Sequence, residues 1–99
     1  MMTRNDADRV MIECNSRYYF HPGYYIQELV EESGLSQQDF ARELGVSHKT
    51  LGELIDARQD LTTETATRLA RIQQTSARYW LNLQASYDAA LDSLRYEGE

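Results

Sequence analysis

Apolar residues recur along most of this chain at intervals of three and four, the spacing of helices with one buried face. The first stripe begins after Pro22, which suits the first turn of a helix, and ends before Gly34, which suits a left-handed helix end. Four further stripes follow hydroxyl residues that are typical N-caps: Ser36, Ser47, Thr62 and Ser76. We therefore expect an all-α domain of five helices.

Two of the predicted helices are short and lie on either side of a tight turn. Residues 36–44 and 47–55 flank Gly45 and Val46, and this order of helix, glycine-containing turn and helix is typical of the helix-turn-helix. Ala41 is small enough for the helices to cross closely, and Gly45 can adopt the positive φ that the turn requires. The apolar spacing predicts the buried face: Phe40, Ala41, Leu44, Leu51, Leu54 and Ile55.

The outward positions of this motif are the candidate DNA contacts. The N-terminal residues of a recognition helix meet base edges in the major groove, which makes Ser47, His48 and Lys49 candidate base readers. Gln37 and Arg58, which flank that helix, are candidate phosphate contacts. A carboxylate in the groove, such as that of Glu53, can accept only from cytosine. The predicted DNA-binding set is Gln37, Ser47, His48, Lys49, Thr50, Glu53 and Arg58.

The chain extends beyond this motif on both sides. Residues 1–20 are predicted to form an N-terminal arm ahead of a domain over residues 21–99, and the arm could pack on the domain, pack on a second chain or fray. The fifth helix is longer than the core requires, with apolar residues in a coiled-coil-like seam: Trp80, Leu83, Tyr87, Leu91 and Leu94. We expect its outer half to meet a partner, the alternative being that it folds back on the domain.

Charge narrows the choice of partners. The chain has 10 basic and 16 acidic residues, for a net charge of -6. Residues 36–60 hold three basic and five acidic residues, whereas residues 61–80 hold three basic and one acidic. This distribution predicts weak operator binding that depends on a dimer, because one copy offers few cations to DNA. It also favours a basic protein as a second partner.

Composition argues against other classes of protein. A chain of 99 residues can build one core, and the absence of a long apolar run predicts no membrane span and no signal peptide, hence a cytoplasmic location. The single cysteine, Cys14, and the two histidines, His21 and His48, lack metal-ligand spacing, and no nucleophile constellation or phosphate loop is present. We therefore expect no metal, no cofactor, no enzymatic activity, and a buried, inert thiol.

Three motifs resemble one known family. The first helix opens with His21-Pro22-Gly23, the second with Leu35-Ser36-Gln37-Gln38, and the fifth contains Tyr79-Trp80-Leu81-Asn82-Leu83-Gln84 followed by Tyr87-Asp88. In these motifs the chain resembles the HigA-type antitoxins, the VapI group of the Xre-like helix-turn-helix proteins, over residues 20–94.

The resemblance implies a five-helix fold like that of the lambda repressor, and the function of an antitoxin. Such a protein binds and silences a small basic toxin of the RelE-like, mRNA-cleaving kind, and represses its own operon as a dimer on a palindromic operator. The resemblance also implies that His21, Pro22 and Gly23 begin the folded domain, and that Trp80 and Tyr87 fill the core behind the fifth helix.

Two other functions stay open. One is a stand-alone transcriptional regulator of the phage or plasmid type, without a toxin. The other is a protein-binding module whose helix-turn-helix has lost its affinity for DNA, which the acidic excess in residues 36–60 favours. The chain also departs from the family pattern at Gly52 and Glu53, where basic or small polar residues are common, and at Asp56-Ala57-Arg58, where Asn-Gly-Lys is usual.

Overall fold

A computed structural model describes residues 10–97 of the protein, with side chains up to Arg95. Two short strands, β1 (Met11–Cys14) and β2 (Arg17–Phe20), precede five helices. These are α1 (Pro22–Ser33), α2 (Gln37–Leu44), α3 (His48–Ile55), α4 (Thr63–Gln73) and α5 (Ala77–Glu97). The prediction of a five-helix fold is confirmed, and the strands are an addition to it.

The helix ends form where the sequence predicts them. Each of the four predicted N-cap hydroxyls accepts a hydrogen bond from the backbone N–H three residues further along: Ser36, Ser47, Thr62 and Ser76. Gly34 and Gly45 both take left-handed conformations, with φ of 76° and 86°. The four N-cap hydrogen bonds satisfy backbone N–H groups that the start of a helix would otherwise leave unpaired.

The described part of the predicted arm is a β-hairpin. β1 and β2 pair antiparallel with Cys14 opposite Arg17, and Asn15 and Ser16 form the turn with positive φ angles of 54° and 67°. Two positive φ angles in a two-residue turn suit the right-handed twist of a hairpin. Residues 1–9 of the arm lie outside the described residues.

The hairpin packs on the body of the same chain. Ile12 and Cys14 of β1 form a small core with Tyr87 and Ala90 of α5. The apolar face of the outer half of α5 is therefore covered by the chain's own hairpin, which corrects the expectation that a partner meets it. Cys14 is buried, as predicted.

The main core lies between the five helices. Its most deeply buried side chains include Ile26, Leu44, Leu51, Leu54, Leu69 and Trp80, each no more than 2% exposed. The predicted inner face of α2 and α3 is confirmed, although Ile55 at the end of α3 is only half-buried. Ile72, an apolar residue of the predicted fourth helix, is 44% exposed and lies outside the core.

The sequence His21-Pro22-Gly23 builds the start of α1. His21 is the N-cap, and its Nδ1 accepts a hydrogen bond of 2.9 Å from the backbone N–H of Gly23. The imidazole ring stands edge-on to the ring of Tyr87, at 5.1 Å between centroids. Pro22 occupies the first turn, where its missing N–H costs no helical hydrogen bond. The start of α1 is thus tied to α5.

Gly23 brings α1 against the last turn of α3. A Cβ on this residue would collide with the Leu54 carbonyl and press on the Cα of Ile55. Only a residue without a side chain allows the two backbones to approach this closely. The contact sets the distance between α1 and α3.

We expect Gly23→Ala to lower the free energy of unfolding by about 1–3 kcal/mol or more, because the methyl group must push α1 away from backbone atoms that cannot rotate aside. Urea unfolding of the two proteins measures the difference.

Gly52→Ala is the matched control. Its Cβ would meet only the terminal amide of Gln37, at 3.2 Å, and that side chain can shift. Because alanine favours helix over glycine, we expect stability to rise by up to about 1 kcal/mol. Equal losses in the two variants would show that glycine is not required at residue 23 for close approach.

Burial determines the protonation state of His21. Its side chain is almost fully buried, and no described residue makes a well-directed hydrogen bond to Nε2. Burial lowers the pKa of His21 below its ordinary value of 6.5, although Asp60, Asp88 and the Gln59 backbone act in the opposite direction. The neutral ring can accept from Gly23, whereas a protonated Nδ1 cannot.

The stability of the protein should therefore fall in mild acid. A histidine whose pKa is lowered by folding binds fewer protons in the native than in the unfolded chain, so its contribution is complete above pH 6.5 and is lost as the pH falls. Urea unfolding at about pH 7.5 and about pH 5.5 measures the loss. His21→Asn keeps a capping acceptor that does not titrate, and should show a smaller difference between the two pH values. If the free energy of unfolding changes by the same amount between the two pH values in both proteins, titratable groups other than His21 cause the change.

Candidate nucleic-acid interface

The turn of the helix-turn-helix is held by its own backbone and by α4. The N–H of Gly45 donates to the Ala41 carbonyl at 2.8 Å, and that of Val46 donates to the same oxygen at 3.0 Å. Arg68 of α4 reaches across to donate to the Leu44 carbonyl at 3.3 Å. Its guanidinium lies where a Cβ on Gly45 would be. The positive φ favours glycine here, and a Cβ would also displace the Arg68 guanidinium from its bond to Leu44, although that flexible side chain can move aside.

Arg68 was missed as a structural residue by sequence reasoning. Arg68 was counted in the basic excess of residues 61–80. In the structure its guanidinium donates to the carbonyl of Leu44 at the end of α2 and forms an ion pair with Glu64 at 3.1 Å. A long-range bond between a side chain and a carbonyl leaves no periodic signal in a sequence. Arg71 and Arg78, the other cations of that stretch, are exposed.

The start of α3 presents the predicted base readers. Ser47 is the N-cap: its Oγ accepts from the Thr50 N–H at 3.0 Å and donates to Thr50 Oγ1 at 2.9 Å. Both hydroxyls therefore have a structural role, although the Thr50 hydroxyl can still donate. His48 and Lys49 are exposed in the first turn, next to free backbone N–H groups that favour anions.

Gln37 lies against the middle of α3. It is the first residue of α2 and is half-buried, with its amide 3.2 Å from the position of a Cβ on Gly52. The departure from the family pattern at Gly52 thus makes room for this side chain. Glu53 follows on α3 one turn after Lys49, so a carboxylate and an ammonium share one helix face.

Arg58 lies in the loop between α3 and α4. Its backbone N–H donates to the Glu53 carbonyl at 2.8 Å, and Ala57 before it takes a left-handed φ of 60°. The side chain of Arg58 is exposed. The structure therefore places Arg58 directly after the recognition helix, as predicted.

Gln84 of α5 forms hydrogen bonds that hold the loop between α3 and α4. Its Oε1 accepts from the Leu61 N–H at 2.8 Å, and its Nε2 donates to Asp60 at 3.2 Å and to Asp88 at 2.9 Å. Gln84 is buried, and every polar atom of its amide is used. Sequence reasoning named Gln84 only as part of the motif Tyr79-Trp80-Leu81-Asn82-Leu83-Gln84 and missed its structural role. A glutamine in an amphipathic helix gives no sign in the sequence that its amide will bind a distant backbone group.

The cations of the motif differ in their availability. Arg42 pairs with Asp39 at 3.5 Å, whereas within the described part of the chain neither Lys49 nor Arg58 forms an ion pair. Both unpaired cations belong to the predicted DNA-binding set. The structure brings Gln37 against the middle of α3, at Gly52, with Arg58 just beyond the end of that helix.

Neither a membrane-spanning helix nor a metal-binding cluster is found among residues 10–97. None of the helices there is long and apolar enough to cross a membrane. No group of three His, Cys, Asp or Glu side chains there is placed to hold a metal ion.

The chain is similar to known helix-turn-helix proteins in both sequence and structure. Residues 26–80, from α1 into α5, match the helix-turn-helix family HTH_3. Virulence-associated protein I of Dichelobacter nodosus is 36% identical over 69 residues, which cover 69% of this chain and 64% of that protein. This chain therefore spans slightly less than two thirds of the length of that relative.

Solved structures show the same similarity. PA4674 of Pseudomonas aeruginosa, in complex with its 18-bp operator DNA, superposes with a TM-score of 0.74 and 31% identity over 81% of this chain and 85% of that one. Antitoxin HigA of Pseudomonas aeruginosa, with the higBA promoter, gives a TM-score of 0.73 and 31% identity over 80% and 87%. The chain belongs to the Xre-like helix-turn-helix family, whose members are DNA-binding regulators and antitoxins rather than enzymes.

Proposed function

We propose that this protein is a DNA-binding antitoxin. It forms a homodimer that represses its own operon and neutralises a basic, RelE-like, mRNA-cleaving toxin in the cytoplasm. The observation that carries the proposal is the exposed first turn of α3, where His48 and Lys49 stand at a capped helix N-terminus. Similarity to an antitoxin solved with its promoter supports it.

Each residue of the predicted set has a role in this proposal. Lys49 and His48 reach base edges, and a lysine suits the O6 and N7 acceptors of guanine. Thr50 and Ser47 order the first turn and add hydroxyl contacts, while Glu53 accepts from the amino group of cytosine. Gln37 and Arg58 contact phosphates on either side of the recognition helix.

The homodimer follows from the small number of free cations. One copy offers Lys49 and Arg58 as the unpaired cations of the motif, which is few for a protein whose affinity comes from releasing counterions. Two copies double that number and place two recognition helices about 34 Å apart, one turn of the DNA helix. A palindromic operator matches this symmetry.

The toxin is proposed as a basic protein because the charge of this chain favours one. The net charge is -6, and 11 of the 16 acidic residues lie outside residues 36–60, which contain the helix-turn-helix. An acidic surface speeds association with a basic protein and discriminates against acidic partners.

A protein-binding module without affinity for DNA is the second candidate. Glu53 on the recognition helix and the acidic excess of residues 36–60 favour it. In that case the same fold would bind the toxin but not the promoter.

The DNA-binding proposal predicts that Lys49→Ala with Arg58→Ala weakens binding to a duplex of the protein's own promoter by about tenfold or more. The slope of log K against log [salt] should also become shallower by about 0.9 for each phosphate that the variant no longer neutralises. Fluorescence anisotropy at several salt concentrations measures both quantities.

Arg17→Ala with Arg95→Ala is the matched control. It removes two exposed cations from the hairpin and α5, so the net charge changes equally while the helix-turn-helix is intact. Equal weakening in both double variants would indicate a dependence on net charge alone. No binding of the unaltered protein at low salt would contradict the repressor role and favour the protein-binding module.

The antitoxin proposal predicts a second phenotype. Expression of the basic protein encoded by the neighbouring reading frame should arrest growth, and co-expression of this chain should restore growth and yield a complex of the two. The Lys49→Ala, Arg58→Ala variant should restore growth equally well, because its changes lie on the DNA face. Promoter binding without rescue would identify a stand-alone regulator instead.

A further inference from the structure

A groove of about 510 Å³ lies between α1 and the end of α3. One wall is a stripe of α1 with Tyr24, Glu28 and Glu31, and the other is formed by Ile55 and Asp56. Val10, Gln27 and Gln37 also line the groove, and through Gln37 the groove adjoins the candidate DNA interface. Nothing in the proposed contacts with DNA uses these walls.

The groove combines negative charge with apolar surface. Its three carboxylates are Glu28, Glu31 and Asp56, and none of its lining residues is basic. Tyr24 and Ile55 add apolar surface, and the Tyr24 ring lies 4.6 Å from that of Phe20. This chemistry suits a lysine or arginine, whose aliphatic stem packs on apolar surface while its charge meets a carboxylate or an aromatic face.

Among the described residues the groove carboxylates form no ion pair, as is also true of Glu13, Glu32, Glu43 and Glu53, but the groove brings three such groups together, whereas several other acidic groups have partners. Asp60 and Asp88 accept hydrogen bonds from Gln84, and Asp92 faces Arg95 at 3.9 Å. Within residues 10–95, Glu28 and Asp56 form no ion pair, and Glu31 accepts only from the neutral amide of Gln27, at 3.0 Å. The negative charge of the groove is thus uncompensated from within the described chain.

The geometry points to this groove as the docking site for a basic, partly apolar segment of the toxin. The inference rests on the proposed antitoxin function and assigns the surface that contacts the toxin. Phosphate groups of a nucleic acid would be repelled by three carboxylates. A second copy of this chain would bring further negative charge, since each copy carries -6.

The test uses the full-length chain and the basic protein of the neighbouring reading frame, in a catalytically inactive form. Glu28→Gln, Glu31→Gln and Asp56→Asn together remove the groove charge while keeping size and hydrogen-bonding capacity. We expect this triple variant to bind the toxin about 10- to 100-fold more weakly and with a shallower salt dependence, measured by calorimetry.

The matched control is Glu13→Gln with Glu43→Gln and Asp92→Asn, which removes three exposed carboxylates outside the groove. It should change toxin affinity less than about threefold, as expected for charges outside an interface. Promoter binding by the groove variant should be retained or become tighter, because the removed carboxylates lie beside Gln37. Retained promoter binding also shows that the variant is folded.

The outcomes separate the inference from the proposed function. Toxin binding that is unchanged in the groove variant, or equally weakened in both triple variants, overturns the docking site while the antitoxin role stands. No toxin binding by the unaltered chain overturns both. A third outcome would identify the chain's own N-terminal segment as the occupant of the groove. In that case Arg4→Gln with Arg9→Gln changes thermal stability only when the groove carboxylates are present, and the groove variant binds toxin normally. The assignment to the toxin would then be wrong.

Discussion

The placement of the recognition helix depends on one close contact between backbones. Gly23 lets the start of α1 reach the last turn of α3 at Leu54, and no side chain could be inserted there without moving a helix. His21 fixes the same end of α1 by capping it and by packing on Tyr87. A helix of 8 residues such as α3 is too short to be stable alone, so its direction is set by the elements packed against it.

Two side chains from outside the helix-turn-helix also help to hold the motif in place. Arg68 closes the end of α2, and Gln84 holds the loop that carries Arg58. Each supplies hydrogen bonds to backbone groups that the helices leave unpaired. In the described structure, the side chains of His48, Lys49 and Arg58 therefore have no structural bond to break before they meet a ligand.

The charged side chains of the described surface differ in whether they form ion pairs. The cations nearest the turn are neutralised, Arg42 by Asp39 and Arg68 by Glu64, whereas Lys49 and Arg58 have no ion-pair partner among the described residues. The carboxylates of the groove beside α1 also lack such partners. A chain with a net charge of -6 thus keeps two unpaired cations, Lys49 and Arg58, at and just beyond α3, and an acidic groove that Gln37 also lines.

The sequence by itself determined the five helices, their caps and the helix-turn-helix, because these depend on residues within one helical turn of each other, such as Ser47 and Thr50. It also indicated which residues open the recognition helix. Only the tertiary structure decided how α5 is covered, since strands of four residues show almost no periodicity and form against α5. It alone revealed bonds such as Leu61 to Gln84, which join positions 23 residues apart and depend on how helices pack.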